Sequence, residues 1–188
     1  MKDIWVEKYR PKTVDEYVFK DEAQKHQVKT WITDGGIPHL LFSGSAGTGK
    51  TTLAKVLIND LGVQDADVLL INASRDNGVD LIRRKITNFS ETMPWGDYKV
   101  ILLDEADYIS AEGQAALRGV MEQYHQSVRF ILTCNYPNKI IPALHSKEAD
   151  PWMLIAEAGA IAVLAAAAYL MSMKDKLSLE KKALRESQ

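Results

Sequence analysis

Gly44-Ser45-Ala46-Gly47-Thr48-Gly49-Lys50-Thr51 is the stretch that decides the fold of this 188-residue chain. Its spacing is G-x-x-x-x-G-K-[ST], with a short apolar run, His39 to Phe42, before it. Behind it, Lys50 to Leu61 carries apolar residues at Leu53, Val56, Leu57 and Leu61, a helical spacing. A glycine-rich turn between strand and helix lets backbone N–H groups curl around phosphate oxygens that side chains would obstruct. In this pattern Gly44, Ser45, Ala46, Gly47, Thr48 and Gly49 form the cradle, and Lys50 reaches the terminal phosphates of a nucleotide such as ATP. The Thr51 hydroxyl ligates Mg²⁺, Thr52 continues the first helical turn, and that helix points its positive end at the anion.

Further along, the apolar run Val100-Ile101-Leu102-Leu103 ends in Asp104-Glu105-Ala106-Asp107. A buried strand ending in two carboxylates places them at the carboxyl edge of a sheet, beside a phosphate loop. Asp104 is then the second metal-binding side chain, and Glu105 orients and activates an attacking water. Asp107 reads as a helix-capping or surface acid. Asn135 closes the strand Arg129 to Cys134, where its amide is placed to bond both a terminal phosphate and the water. Lys50, Glu105 and Asn135 are thus the expected catalytic set.

The segment from Pro38 to Asn135 alternates strand-like and helix-like stretches. Val68 to Ile71 is an unbroken apolar run that reads as a strand covered on both faces. Val79 to Phe89 and Ala111 to Tyr124 have helical spacing, and Arg129 to Thr133 is the last clear strand. Such alternation argues for an α/β fold with a parallel sheet and helices on both faces. The formal charge of −2 excludes a global basic field, so any nucleic-acid contact must be local. The single cysteine, Cys134, excludes an intramolecular disulfide and reads as a buried strand thiol. Met1 to Arg10 is charged and has no apolar signal-type core, which points to a cytoplasmic protein.

Trp5-Val6-Glu7-Lys8-Tyr9-Arg10-Pro11 resembles the box that opens replication factor C small subunits and related phage clamp-loader ATPases of the AAA+ class. Ile37-Pro38-His39, Ala115-Ala116-Leu117-Arg118, Met121-Glu122-Gln123-Tyr124 and Lys139-Ile140-Ile141-Pro142-Ala143-Leu144 extend the resemblance over residues 4–147. It implies a P-loop NTPase fold and an ATP-driven subunit that opens a sliding clamp and loads it onto primer–template DNA. Other loader subunits, the clamp and DNA are the implied partners. By position, Val6, Glu7, Lys8, Tyr9, Arg10 and Val18 become nucleotide contacts, although Trp5 and Tyr9 also suit a plain edge-covering role. Arg83, Arg84 and Lys85 form the densest basic cluster and are candidates for phosphate tracking, with a solvated helix face as the competing reading. Gln114 and Arg118, four apart on one helix, are expected to share a face, and the resemblance implies that they couple DNA contact to the catalytic site, with a solvent-exposed arginine as the competing reading.

The pattern breaks after residue 144. Where the family has Ser-Arg-Cys, this chain has His145-Ser146-Lys147-Glu148, and a lysine lacks the planar fork of a trans-acting arginine. The family's lid and collar are not recognisable, so the chain divides into an ATPase core, 1–147, and an atypical helical tail, 148–188. Trp152 to Met173 is long enough as a helix, at about 1.5 Å per residue, for a bilayer core of about 30 Å. Its alanine content, Glu157 and the lysines that follow favour a buried or self-associating helix over a membrane span. An ATP-binding interaction module without productive hydrolysis remains the competing function, and another AAA+ DNA machine such as a helicase loader a third.

Overall fold

The apolar runs of the sequence become five parallel strands whose order brings the two chemical motifs together. This computed structural model describes residues 10–75, 79–144 and 152–156. The strands are β1 (His39–Ser43), β2 (Val68–Asn72), β3 (Lys99–Asp104), β4 (Val128–Cys134) and β5 (Trp152–Ala156). The helices are α1 (Glu22–Asp34), α2 (Lys50–Asp60), α3 (Val79–Glu91) and α4 (Ala111–Gln123). Spatial order is β2-β3-β4-β1-β5, all neighbours parallel. After β1 the chain crosses to the far edge, lays down β2, and returns through β3 and β4. β4 therefore lies between the strand that feeds the glycine-rich loop and the strand that ends in the carboxylates.

Side chains alternate strictly across the sheet, as the two-residue strand period requires. Leu41, Ile101, Leu103, Phe130 and Leu132 face one way and pack with Ile86 of α3 and Leu117, Val120 and Met121 of α4. Leu40, Phe42, Val100, Leu102 and Ile131 face the other way, against Leu53, Val56 and Leu57 of α2 and Val28 and Trp31 of α1. Phe42 and Phe130 are fully buried, and truncating such a side chain to alanine costs about 3–5 kcal/mol. Two helices begin at side-chain caps: Asp21 accepts from Gln24 N at 2.8 Å, and Ser110 from Gly113 N at 3.2 Å. α2 begins at Gly49, which has no side chain to offer.

Three expectations are corrected. β2, the last strand on its side of the sheet among the described residues, is not covered on both faces: Leu70 is 55% exposed there. An unbroken apolar run does not say whether a helix covers each face along its whole length. Trp152–Ala156 is a strand, not the start of a helix; it pairs with β1 in the register His39↔Trp152 to Ser43↔Ala156. A short apolar run fits a strand or a buried helix equally well, and the alanines that follow tilted the reading towards helix. The core sheet thus takes a strand from beyond residue 147. Asp107 is 6% exposed, and neither carboxylate oxygen has a hydrogen-bond partner among the described residues, so it is neither a cap nor a surface acid. It lies in the 3-10 turn Ala106–Tyr108, tucked under the end of β3, while Ser110 does the capping of α4. Among the described residues no helix is long and apolar enough to cross a membrane.

Candidate active site

The site is assembled at the carboxyl ends of β1, β3 and β4. Residues 44–49 leave β1 as a loop with Ser45, Ala46 and Gly47 exposed at its crest. Gly47 and Gly49 have φ of 81° and 85°, in the left-handed region that favours glycine. Thr48 closes the loop by donating from its hydroxyl to Ser45 O at 3.0 Å. Because α2 has a glycine cap, its first-turn N–H groups meet no capping side chain and remain available to an anion.

Lys50 is buried, and its ammonium donates to Gly44 O at 2.9 Å, Ser45 O at 2.8 Å and Asn135 Oδ1 at 3.0 Å. Burial pushes its pKa below the ordinary lysine value, against the opposing pull of nearby acids including Asp104, Asp107 and Glu105. The bond to Asn135 joins two of the expected catalytic residues across 85 positions. It also fixes the amide: with Oδ1 accepting from Lys50, the NH₂ group is left as the donor.

Thr51 donates to Asp104 Oδ1 at 2.6 Å, so the two expected metal-binding side chains meet. Both offer oxygen only, the donor type of a small hard dication, and a hydroxyl beside a carboxylate fits Mg²⁺. Glu105 follows with φ 58° and ψ 44°, the sole non-glycine residue at positive φ among the described residues. A Glu there carries backbone strain of about 1–3 kcal/mol. Arg10, the one described residue among the nucleotide candidates of the opening box, reaches the first turn of α2 and donates to Thr52 Oγ1 at 3.4 Å. Val18 is 36% exposed. Val6, Glu7, Lys8, Tyr9 and Lys147 lie outside the described residues.

The remaining candidates lie apart from this cluster. Arg83, Arg84 and Lys85 are all exposed on α3, and Arg83 and Arg84 border an open depression with Asp80, Thr87 and Asn88. Gln114 and Arg118 diverge despite their spacing. Gln114 is 1% exposed; its NH₂ donates to Ile109 O and Lys139 O, each at 2.9 Å, and its carbonyl Oε1 accepts from Ile141 N at 2.8 Å. Arg118 turns outward to Glu122 Oε1 at 2.7 Å. Cys134 is buried and its thiol pKa is pushed up to about 11, in line with a structural role.

Two site residues escaped the sequence reading. Tyr17, 4% exposed, donates its hydroxyl to Thr48 O at 3.4 Å, and a Cβ on Gly49 would lie 3.1 Å from the Tyr17 hydroxyl oxygen. Nothing in the local sequence announces a tyrosine beneath a distant loop. Thr133, 1% exposed, bonds both Asp104 and Glu105. It did leave a signal: a hydroxyl inside the apolar strand Phe130-Ile131-Leu132-Thr133 must find a partner when buried.

The glycine-rich loop, the acid-tipped strand between its neighbours and the amide at the end of β4 define an AAA-type nucleotide site. Residues 40–151 match the model of the ATPase family associated with various cellular activities (AAA), and the chain belongs to that family. More particularly, it is similar to the replication factor C small subunit of Archaeoglobus fulgidus, 48% identical over 149 residues, which make up 77% of this chain and 46% of that protein. The replication factor C small subunit of Saccharolobus solfataricus is 47% identical over 150 residues, 78% of this chain and 45% of that one. The chain spans about half the length of the curated relatives it matches. Among solved structures, the Thermotoga maritima RuvB Holliday junction branch migration motor shares the fold with TM-score 0.60 at 18% identity, over 79% of this chain and 48% of that one.

Proposed function

We propose that this chain is the ATP-hydrolysing core of a clamp-loader subunit that acts in the cytoplasm with other loader subunits, a sliding clamp and primer–template DNA. The observation that carries the hydrolytic part is the pairing of Thr51 with Asp104 and of Lys50 with Asn135 at the carboxyl end of the sheet, with Glu105 next in the chain and its N–H held by Thr133. Similarity to replication factor C small subunits supports the loader part. In this reading the loop N–H groups and Lys50 hold the phosphates, and Thr51 and Asp104 hold Mg²⁺, which when bound supplies charge neutralisation. Glu105 accepts a proton as water oxygen bonds to the γ-phosphorus; the bond to the bridging oxygen breaks, giving ADP and phosphate. The Asn135 NH₂ donates to the γ-phosphoryl oxygens and the water. Arg83 and Arg84 supply phosphate-directed charge towards DNA.

Glu105→Gln tests the assignment. It keeps shape and hydrogen bonding while removing the base, so ATP affinity should hold while single-turnover hydrolysis falls by about 10²–10⁴. Parent-like turnover in this variant would remove Glu105 from the mechanism. One observation favours a second reading, an ATP-binding interaction module: Lys147 stands where the resembling family has its trans-acting arginine. Nucleotide binding by the parent without turnover, with or without primed DNA, would support that module instead.

A further inference from the structure

We infer that Thr133 is a positioning residue that sets both acidic side chains of the site; the inference rests on the proposed hydrolytic reading. Its hydroxyl is used twice. It donates to Asp104 Oδ1 at 2.7 Å and accepts from Glu105 N at 3.0 Å. Thr51 donates to the same Asp104 oxygen at 2.6 Å. Asp104 Oδ1 is thus gripped by one hydroxyl from α2 and one from β4, and two such bonds fix the carboxylate plane. Glu105 is the strained residue, with φ 58°. Its N–H is satisfied by Thr133, and its C=O accepts from Tyr108 N at 3.0 Å. Both backbone groups of the left-handed residue are therefore tied down, one by β4 and one by the following turn.

The placement of Thr133 follows from the sheet. Phe130 and Leu132 face α3 and α4, so the alternation of β4 turns Thr133 towards α2 and the loop. Its neighbour on β1 is Phe42, immediately before the loop's strand ends. The side chain is 1% exposed, so water offers no substitute for either bond. A threonine here satisfies an acceptor and a donor at once, which valine of nearly the same shape cannot. Losing the hydroxyl frees the Asp104 plane and leaves the Glu105 N–H unpaired, loosening the metal-binding side chain and the base together.

The test compares Thr133→Val and Thr133→Ser with the parent in three measurements. Amide exchange of Glu105, followed by NMR without nucleotide, should be at least about 10-fold faster in T133V and parent-like in T133S. The Mg²⁺ concentration for half-maximal binding of ATP should rise at least about 5-fold in T133V, with metal-free ATP affinity unchanged. Single-turnover hydrolysis should fall at least about 10-fold in T133V with little change in KM, and T133S should restore it. If T133V does not fold, a Glu105 amide that exchanges freely in the parent, or T133S behaving unlike the parent, overturns the proposal. So does a folded T133V with parent-like Glu105 exchange and Mg²⁺ response. A parent that binds no ATP defeats the hydrolytic reading instead, and the amide exchange still judges Thr133.

Discussion

At the scale of single residues, burial decides which groups carry charge. Lys50 sits in a ring of carbonyl and amide oxygens supplied by the loop and Asn135, so its ammonium is pre-aimed where phosphates would lie. Lys50→Ala should weaken ATP binding at least tenfold, about 1.4 kcal/mol, measured by calorimetric titration; unchanged affinity would remove the loop from nucleotide binding. His39 shows the opposite case. It is 3% exposed, accepts from Phe130 N at 3.1 Å through Nδ1, and has its pKa pushed down to about 4, chiefly by burial and then by the Arg129 charge. His125 adds to the same shift. The unfolded chain takes up a proton near pH 6.5 that the folded chain refuses until about 4. Stability from this group is therefore full above 6.5 and is lost as pH falls through that window, about 2 kcal/mol by pH 5. His39→Asn keeps an acceptor near Nδ1 but does not titrate. Thermal melts at pH 7.5 and pH 5 should show a smaller Tm drop in this variant than in the parent.

At the scale of elements, a single carboxylate anchors the turn that leads into β3. Asp67, 1% exposed, accepts from Trp95 N through both oxygens, at 3.1 and 2.8 Å, and from Gly96 N at 2.8 Å. Lys99 braces the same turn by donating to Phe89 O at 2.8 Å and to the Thr92 hydroxyl. The turn is held firmly enough to present Met93 and Trp95 at 87% and 79% exposure. Asp67→Ala removes the charged acceptor from Trp95 N and Gly96 N and should cost about 1.5–3 kcal/mol in urea denaturation, with Asp67→Asn intermediate. A midpoint shift within error for the alanine variant would mean the turn stands without it. None of this was legible beforehand, because the partners lie 28 and 29 residues apart. What the sequence did disclose was periodic or local: α2 from its apolar spacing, β3 from an unbroken run, the loop from its glycines. What stayed hidden depended on neighbours. Leu70 looks no different from Leu102 until the fold leaves one exposed and buries the other, and Asp107 reads as polar surface until the turn folds it inward.

At the scale of the whole molecule, α4 joins an exposed face of the protein to the segment that follows Asn135. Gln114 stitches its first turn to Ile109 O on one side and to Lys139 O and Ile141 N on the other, just beyond Asn135. A shift of α4 would therefore pull on the segment that carries the Asn135 amide. Arg118 faces outward one turn later, half-exposed and paired to Glu122. The two residues should respond in opposite ways. Gln114→Ala removes three bonds in a dry site and should destabilise the fold by about 2 kcal/mol or more. Arg118→Ala removes an exposed i,i+4 ion pair, so the unfolding free energy from urea melts should stay within about 0.5 kcal/mol of the parent. The coupling expected from the family resemblance adds a second expectation for Arg118→Ala. In an assembled complex, ATP affinity should hold while stimulation of hydrolysis by primed DNA falls. The assay is best run with a replication factor C type lid and collar grafted on, since the chain spans about half the length of its curated relatives. The unmutated graft is the control. Equal stimulation in the two grafts would make Arg118 a solvated helix residue and end the coupling idea.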